Sequence, residues 1–404
     1  MTTFRSTPSN RSLRRLLRIL SVIAGVAIAN IYYNQPLLDS IRRTFPRDAA
    51  WIGAIPTATQ IGFAIGMLLL APLADRFDRR RLILLQIAGI CVALLVVASA
   101  STLPVLIVAS LAIGVLATVA QQAGPFAAEL APPEQRGHAV GIVMSGLLLG
   151  ILLARTASGF VAEHFGWRAV FVAAIVSMLI LGVMVVRYLP SSRPTSTLSY
   201  GQLVGSLWHL ALELRGLREA ALTGAALFAA FSLFWSVLSL LLARMPFSLG
   251  PQAAGLFGIV GAAGAITAPW AGKLADRRGP RAAISLAIGL VALSFVVFGV
   301  SGSSLVGLVV GVILLDVGLQ VAQTPNQSRI FALRPEARSR LNAVYMVCYF
   351  AGGALGSAAG IAVWQTFGWT GVCTAGMVFC AIAAGSHLRG RRSALLASSS
   401  IGER

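Results

Sequence analysis

Twelve long apolar runs constrain the fold of this chain more than any other feature. They fall near residues 16–38, 51–74, 82–100, 103–126, 139–162, 169–189, 220–243, 253–275, 282–300, 304–324, 341–366 and 370–388. A helix needs about 20 apolar residues to cross a bilayer. The runs are continuous rather than alternating, which favours helices over the strands of a barrel. We therefore predict an all-α membrane protein with twelve transmembrane helices.

The composition leaves little room for a separate soluble domain. Of 404 residues, 57% are hydrophobic and 11% charged, whereas about a quarter of a soluble domain is charged. A net charge of +19 would favour nucleic-acid binding in a soluble protein. Here the basic residues form short clusters between apolar runs, without an aromatic platform, so we expect no nucleic-acid partner and a lipid bilayer instead.

The chain divides into two similar halves. The predicted segments are an N-terminal tail (1–15), a six-helix bundle (16–189), a polar linker (190–218), a second six-helix bundle (219–388) and a C-terminal tail (389–404). The motif LADR occurs at 73–76 and 274–277, PExR at 133–136 and 335–338, and FGW at 165–167 and 367–369, with offsets of 201, 202 and 202. Parallel repeats of this kind are typical of alternating-access transporters, which bind substrate between the halves.

The basic residues predict an orientation. Of the 32 Lys and Arg residues, 26 lie on the side of both tails and the linker, five on the other side, and Arg155 inside a run. The positive-inside rule then places both termini in the cytoplasm of a bacterial-type inner membrane. The sequence Ala27-Ile28-Ala29 resembles a signal-peptidase site, but the run continues to Leu38 and belongs to the repeat, so we expect an uncleaved first span.

The two LADR loops predict a gate at the cytoplasmic face. They read APLADRFDRRR and AGKLADRRGPR, in which an acid at a helix end precedes arginines. Such a carboxylate can face a neighbouring helix N-terminus, and the arginines can pair with acids, so the loops can latch one side of a transporter. The alternative is that the arginines only set orientation. The gate candidates are Asp75, Arg76, Arg79, Arg80, Gly272, Asp276, Arg277, Gly279 and Arg281.

These features resemble the major facilitator superfamily over almost the whole chain. The second loop matches the family pattern GxLADRxGR with Gly272 and Gly279, although Pro280 precedes Arg281 there, and the first copy has Ala71 and Asp78 at the two glycine positions. The segments IYYNQPLL (31–38) and GLLLGILLARTASG (146–159) are similar to a bacterial subgroup near the drug:proton antiporters and the nucleoside and sugar efflux proteins. The resemblance implies a monomeric secondary transporter.

Two charges lie inside the apolar runs, where charges are costly and usually functional. Asp316 is 12 residues from Ser304, roughly 18 Å into its helix at 1.5 Å per residue. Gln320 and Gln323 share its helical face. This face lines either a cavity or a polar helix-packing seam. We predict a cavity in which Asp316 binds and releases protons. Arg155 lies at a similar depth and either pairs with Asp316 or forms a structural bridge.

Polar and aromatic residues of other spans are further candidates for the cavity wall, with helix packing as the alternative for each. They are Asn30, Tyr33 and Asn34 in span 1, Gln121 and Gln122 in span 4, Phe231 and Trp235 in span 7, and Asn342, Tyr345 and Tyr349 in span 11.

No motif indicates an enzyme, a cofactor or a metal site. The single lysine, Lys273, is followed by Leu274, which excludes a P-loop, and there is no HExxH pair. We predict a proton-coupled exporter of a small organic solute. The alternatives are a proton-coupled importer or a uniporter in which Arg155 binds an organic anion. A polytopic sensor or enzyme is disfavoured, since no output domain or cluster of reactive groups is present.

Overall fold

The computed structural model describes residues 10–132, 135–191, 199–262, 277, 279–334 and 337–399, with the backbone alone for 10–12, 75 and 391–399. The helices of the first half are α1 (Asn10–Ala29), α2 (Leu38–Thr44), α3 (Ala54–Leu69), α4 (Arg79–Ser99), α5 (Leu103–Ala117), α6 (Val119–Leu130), α7 (Arg136–Phe165) and α8 (Trp167–Tyr188). The linker and second half contain α9 (Tyr200–Glu213), α10 (Arg215–Leu242), α11 (Pro251–Ala262), α12 (Pro280–Ser301), α13 (Leu305–Leu333) and α14 (Arg338–Ser399).

These helices confirm the predicted all-α architecture of two six-helix halves. Within the described ranges, nine helices are long and apolar enough to cross a membrane, and no strand occurs. In the first half, α5 and α6 together form one span, interrupted at Thr118. In the second half, α14 supplies two spans, because its helical backbone is interrupted at Gly368.

The FGW repeat has a structural role in both halves. Gly166 and Gly368 have φ values of +83° and +62°, which a residue without a Cβ adopts readily. Each reverses the chain between two spans. The following tryptophans then secure the turn, since Trp167 Nε1 donates to Thr44 Oγ1 (3.0 Å) and Trp369 Nε1 donates to the carbonyl oxygen of Phe298 (2.8 Å).

The linker and the C-terminal tail are more helical than their polar sequences indicate. Helix α9 occupies the middle of the linker, and its first turn is fixed by a capping box of Ser199 and Gln202. Its buried face consists of Leu203, Leu207 and Leu210. Helix α14 continues to Ser399, beyond the expected end of the second bundle at residue 388.

The two faces of the molecule differ in what they expose. The face at which both described chain ends lie, together with α9, is called the terminal face below. There, Arg15 stacks on Tyr188 at the end of α8, and Arg281 Nη2 donates to Gly390 O near the end of α14. The opposite face, called the far face, carries α2 and the two FGW turns. The spans run between these faces and surround a cavity between the halves.

Candidate functional site: a charged cavity between the two halves

A cavity of about 100 Å³ lies between the two halves, near the middle of the spans. The first half contributes the end of α1, α6 and α7 to its wall, and the second half contributes α10, α11, α13 and α14. The residues that line the cavity include Tyr32, Gln121, Arg155, Phe228, Phe231, Gly261, Asp316, Gln320, Gln323 and Tyr349. The structure thus brings Arg155 and Asp316, which are 161 positions apart in the sequence, to one cavity.

Arg155 is held rigidly at the wall although only 2% of it is exposed. Its Nε donates to Gln35 Oε1 at 2.8 Å. Its guanidinium carbon lies 3.8 Å from the ring centroid of Trp235, 4.8 Å from that of Tyr32 and 5.5 Å from that of Phe231. A desolvated cation over an aromatic face gains about 2 kcal/mol. The Nη2 atom is buried without a hydrogen-bond partner among the described residues.

Asp316 is also buried and lacks a direct ion pair with Arg155. Its Oδ2 atom makes no hydrogen bond of normal geometry in the described part of the chain, and neither does the indole nitrogen of Trp235, which lies near enough to interact weakly with the carboxylate. A buried ionised carboxylate without a partner is costly. The site therefore favours anything that neutralises Asp316, whether a proton or a bound cationic group.

Three glycines of α11 allow this helix to approach both charges. A Cβ at Gly255 would lie 2.6 Å from the carbonyl oxygen of Arg155, and one at Gly258 would lie 3.0 Å from its Cβ. At Gly261, a Cβ would lie 3.0 Å from Asp316 Oδ1 and 3.4 Å from Trp235 Cζ2. The helix backbone thus forms a wall that larger residues would push away from the charges.

The rest of the cavity wall consists of an aromatic part and a part lined by side-chain amides. Phe228 stacks on Tyr349 with ring centroids 4.0 Å apart, and Phe231 lies 5.6 Å from Phe228. Gln320 and Gln323 follow Asp316 along α13 on the predicted face. Such a wall accommodates an apolar body beside polar groups.

The span-1 candidates Asn30, Tyr33 and Asn34 do not line the central cavity. Tyr33 lines a separate groove with Gly25 and Leu149, and Tyr32 takes the cavity position. Asn30 Nδ2 donates to Val26 O one turn earlier in α1, and Asn34 Nδ2 donates to Thr59 Oγ1 of the neighbouring α3. The reason is that α1 ends at Ala29.

Beyond that point the backbone continues in three-residue turns, such as Tyr32 N to Ala29 O and Gln35 N to Tyr32 O. A tighter turn rotates successive side chains more than an α-helix does, so the helical spacing used to select residues 30, 33 and 34 no longer applies. Tyr32 and Gln35 are contacts of Arg155 that sequence analysis did not select. Both belong to the segment IYYNQPLL, which supplied the only sequence signal for them.

A second cavity of about 80 Å³ adjoins the first toward the terminal face. Gln121 lines both, and Gln122, Asn342 and residues Leu203 and Leu207 of α9 line only the second. Gln122 Nε2 donates to Gln86 Oε1 at 2.8 Å. Tyr345 is completely buried against α10, at Gly224. The linker helix therefore lines the second cavity, on the terminal side of the central one.

At the far face, the two halves meet in two contacts related by the repeat. A Cβ at Gly159 of α7 would lie 2.9 Å from the Cα of Gly255 in α11. The offset of 202 relates Gly159 of α7 to Ile361 of α14, and it relates Gly53, just before α3, to Gly255 of α11. A Cβ at Gly53 would lie 2.5 Å from Ile361 Cγ1. The far face is closed by these contacts on both sides of the cavity.

The gate candidates are only partly described. Gly272 and Asp276 lie outside the described residues, as does the side chain of Asp75. Arg79 is 7% exposed and forms an ion pair with Glu129 at 3.5 Å, and Arg80 donates to Val186 O. The remaining candidates are exposed Arg76 and Arg277, Gly279 with φ +84° before α12, and Arg281, which donates to Gly390 O. These contacts of Arg79, Arg80 and Arg281 each join helices of the same half.

Comparisons of the sequence with known proteins agree on one family of membrane transporters. The family model described as the Major Facilitator Superfamily matches residues 20–357 and 220–400. The transporter YgaY of Escherichia coli O157:H7 is 40% identical over 369 residues, which cover 91% of this chain and 94% of that protein. The probable transporter SCO4007 of Streptomyces coelicolor is 33% identical over 377 residues, covering 91% of this chain and 85% of that protein.

Solved structures share the fold at low sequence identity. A bacterial homologue of the human lysosomal transporter Spinster, in an inward-facing and occupied conformation, has a TM-score of 0.73 with 16% identity. The match covers 95% of this chain and 98% of that one. The nucleoside transporter NupG has a TM-score of 0.72 with 16% identity, covering 93% and 98%.

Proposed function

Because this chain belongs to the Major Facilitator Superfamily and is a multi-pass membrane transporter, we propose that it exports a small organic solute in exchange for protons. The solute binds in the cavity between the halves, and Asp316 carries the proton. In this proposal the terminal face, which holds the excess of basic residues, faces the cytoplasm.

The observation that carries the proposal is the position of Asp316. It lies at the wall of the cavity, its Oδ2 makes no hydrogen bond of normal geometry to the residues that the structure describes, and it interacts with the charge of Arg155 without forming an ion pair. A carboxylate in this position binds a proton when occluded and releases it when water or a cation stabilises the ionised form. Exchange follows if solute and proton neutralise the same carboxylate in turn.

A second candidate is uptake of an organic anion together with a proton. It is favoured by one observation: Arg155 Nη2 has no hydrogen-bond partner within the described ranges. An anion bound there would cancel the positive charge beside Asp316 and favour its protonation. Anion and proton would then move in the same direction, which distinguishes this candidate from exchange.

Everted membrane vesicles with an acid interior test both candidates through a pH-sensitive fluorescent dye. A panel of amino acids, nucleosides, organic amines and aromatic acids is added outside. An exchanger moves solute in and protons out, so the quenched fluorescence recovers. A symporter carries protons inward with the solute and quenches the fluorescence further.

Asp316→Asn keeps the shape of the side chain but cannot titrate, and we expect it to abolish the fluorescence response while leaving solute exchange partly intact. Asp48→Asn, at the far face and outside the cavity, is the matched control and should respond as the unaltered protein does. A full proton response in Asp316→Asn would overturn the role of Asp316. Further quenching in the unaltered protein would favour the anion symporter.

A further inference from the structure

The central cavity presents one buried cation and one buried anion, each with an unused hydrogen-bonding atom. Arg155 Nη2 is a donor and Asp316 Oδ2 an acceptor, and neither makes a hydrogen bond of normal geometry to the residues that the structure describes. Both residues are at least 91% buried, so solvent does not satisfy them cheaply. A ligand that satisfies only one of them leaves the other unpaired.

The two charges are close but separated. No ion pair joins them, yet Trp235 lies beside both: its ring is 3.8 Å from the guanidinium carbon of Arg155, and it flanks the same Gly261 position as Asp316 Oδ1. A molecule whose own opposite charges are a few bonds apart fits between them. Single-charge ligands do not match this arrangement.

The aromatic wall defines the remainder of the ligand. Phe228, Phe231 and Tyr349 offer ring surface next to the charged pair. Flat or branched apolar groups pack favourably on such surface. The cavity of about 100 Å³ adjoins the second cavity of about 80 Å³ at Gln121, and the combined space suits a small solute.

We propose that the transported solute is a small zwitterion with an apolar side group, an amino-acid-like molecule whose carboxylate binds Arg155 and whose ammonium group binds Asp316. The proposal rests on the proposed function and explains the exchange, because the ammonium group and the proton compete for the same carboxylate. Gln35 is a positioning residue: its hydrogen bond to Nε turns the guanidinium so that Nη2 remains for the solute.

The test uses three ligands that share one skeleton. Phenylalanine carries both charges, 3-phenylpropanoate lacks the ammonium group, and 2-phenylethylamine lacks the carboxylate. Binding to the purified protein in detergent is measured by isothermal titration calorimetry, without any gradient. We expect phenylalanine to bind at least about tenfold more tightly than either analogue. Leucine, 4-methylpentanoate and 3-methylbutylamine provide a second set with a branched side group.

Two variants assign the charges. Arg155→Gln should bind phenylalanine and 2-phenylethylamine equally, and Asp316→Asn should bind phenylalanine and 3-phenylpropanoate equally. Arg187→Gln, at the exposed end of α8, is the control for loss of an arginine. Gln35→Ala should weaken the binding of phenylalanine and 3-phenylpropanoate but not of 2-phenylethylamine, which does not use Arg155. The ligand comparison on the unaltered protein remains decisive even if a variant fails to fold.

The pH dependence of binding provides a further readout. The titratable and charged groups that face Asp316 are Arg155 from α7, Tyr32 from the turn after α1 and Tyr349 from α14. Acidification should weaken the binding of phenylalanine and 2-phenylethylamine but not of 3-phenylpropanoate. The effect should disappear in Asp316→Asn.

Three outcomes would overturn the zwitterion proposal: tighter binding of 3-phenylpropanoate, tighter binding of 2-phenylethylamine, or no binding of either zwitterion. If everted vesicles still show solute–proton exchange in that case, only the solute class fails. Zwitterion binding without any proton movement would instead overturn the proposed exchange.

Discussion

The two halves of this transporter repeat the same framework but differ at positions that face the cavity, and the clearest example is Arg155. At an offset of 202, Arg155 of α7 corresponds to Ser357 of α14. Arg155 faces the cavity with an unused donor, whereas Ser357 accepts a hydrogen bond from Ser236 Oγ at 2.9 Å and is fully buried. The same place in one fold therefore holds a charge in one half and a satisfied packing contact in the other.

The far-face contacts show the same difference in a milder form. One turn after Arg155, Gly159 brings the backbone of α7 against that of α11. One turn after Ser357, Ile361 places a side chain against Gly53. The two halves thus share the same pairs of contacting helices. The residues that differ between the halves determine the chemistry of each contact. The contact of Gly159 with Gly255 is formed by backbone atoms, whereas the contact of Gly53 depends on the side chain of Ile361.

The largest effect should come from making the halves alike at the charged position. Arg155→Ser removes the cavity cation, and we expect transport in everted vesicles to fall to background. Ser357→Ala removes only one buried hydroxyl, so transport should persist while the free energy of unfolding falls by about 1 kcal/mol. Equal loss of transport in both variants would show that the two positions do not differ in function.

A smaller effect should follow from altering the far-face contacts. Gly53→Ala and Gly255→Ala each introduce a methyl group where less than 3 Å is available, which we expect to destabilise the protein by about 1–3 kcal/mol. Ile361→Gly makes the second contact resemble the first and should partly rescue Gly53→Ala. The coupling in a double-mutant cycle should be about 0.5–3 kcal/mol.

The cycle is measured by reversible unfolding in mixed micelles. Gly255→Ala has no equivalent rescue, because its closest atom is the backbone oxygen of Arg155. Independent, additive effects of Gly53→Ala and Ile361→Gly would mean that the second contact is not the side-chain contact that the structure shows.

The smallest difference between the halves should be found at a feature that they share. Gly166→Ala and Gly368→Ala impose a Cβ on an extended backbone with positive φ that is essentially restricted to glycine, and each should cost about 1–3 kcal/mol of unfolding free energy. Gly137→Ala, in the first turn of α7 with no atom within 4 Å of the new Cβ, is the control and should be neutral or stabilising. A large difference between Gly166→Ala and Gly368→Ala would break the equivalence of the two turns.

Sequence analysis succeeded where one residue carries its own signal. A carboxylate or guanidinium inside an apolar run is conspicuous because the bilayer penalises it, so Asp316 and Arg155 could be selected without a structure. The amides after Asp316 were found because α13 is a regular helix there. The residues around Tyr33 were displaced because the helix ends four residues earlier and tighter turns follow, which hydropathy does not reveal.

By itself, the sequence determined the number of spans, their division into two similar halves and the two buried charges, because apolar length and repetition are properties of the chain read one segment at a time. Only the tertiary structure decided that Gln35 orients Arg155, that Tyr32 rather than Tyr33 reaches the cavity, and that α9 lines the second cavity on its terminal side. Each of these depends on which atoms of distant segments come into contact. Helix packing sets those contacts through backbone turns and close approach at glycines, and hydropathy is insensitive to both.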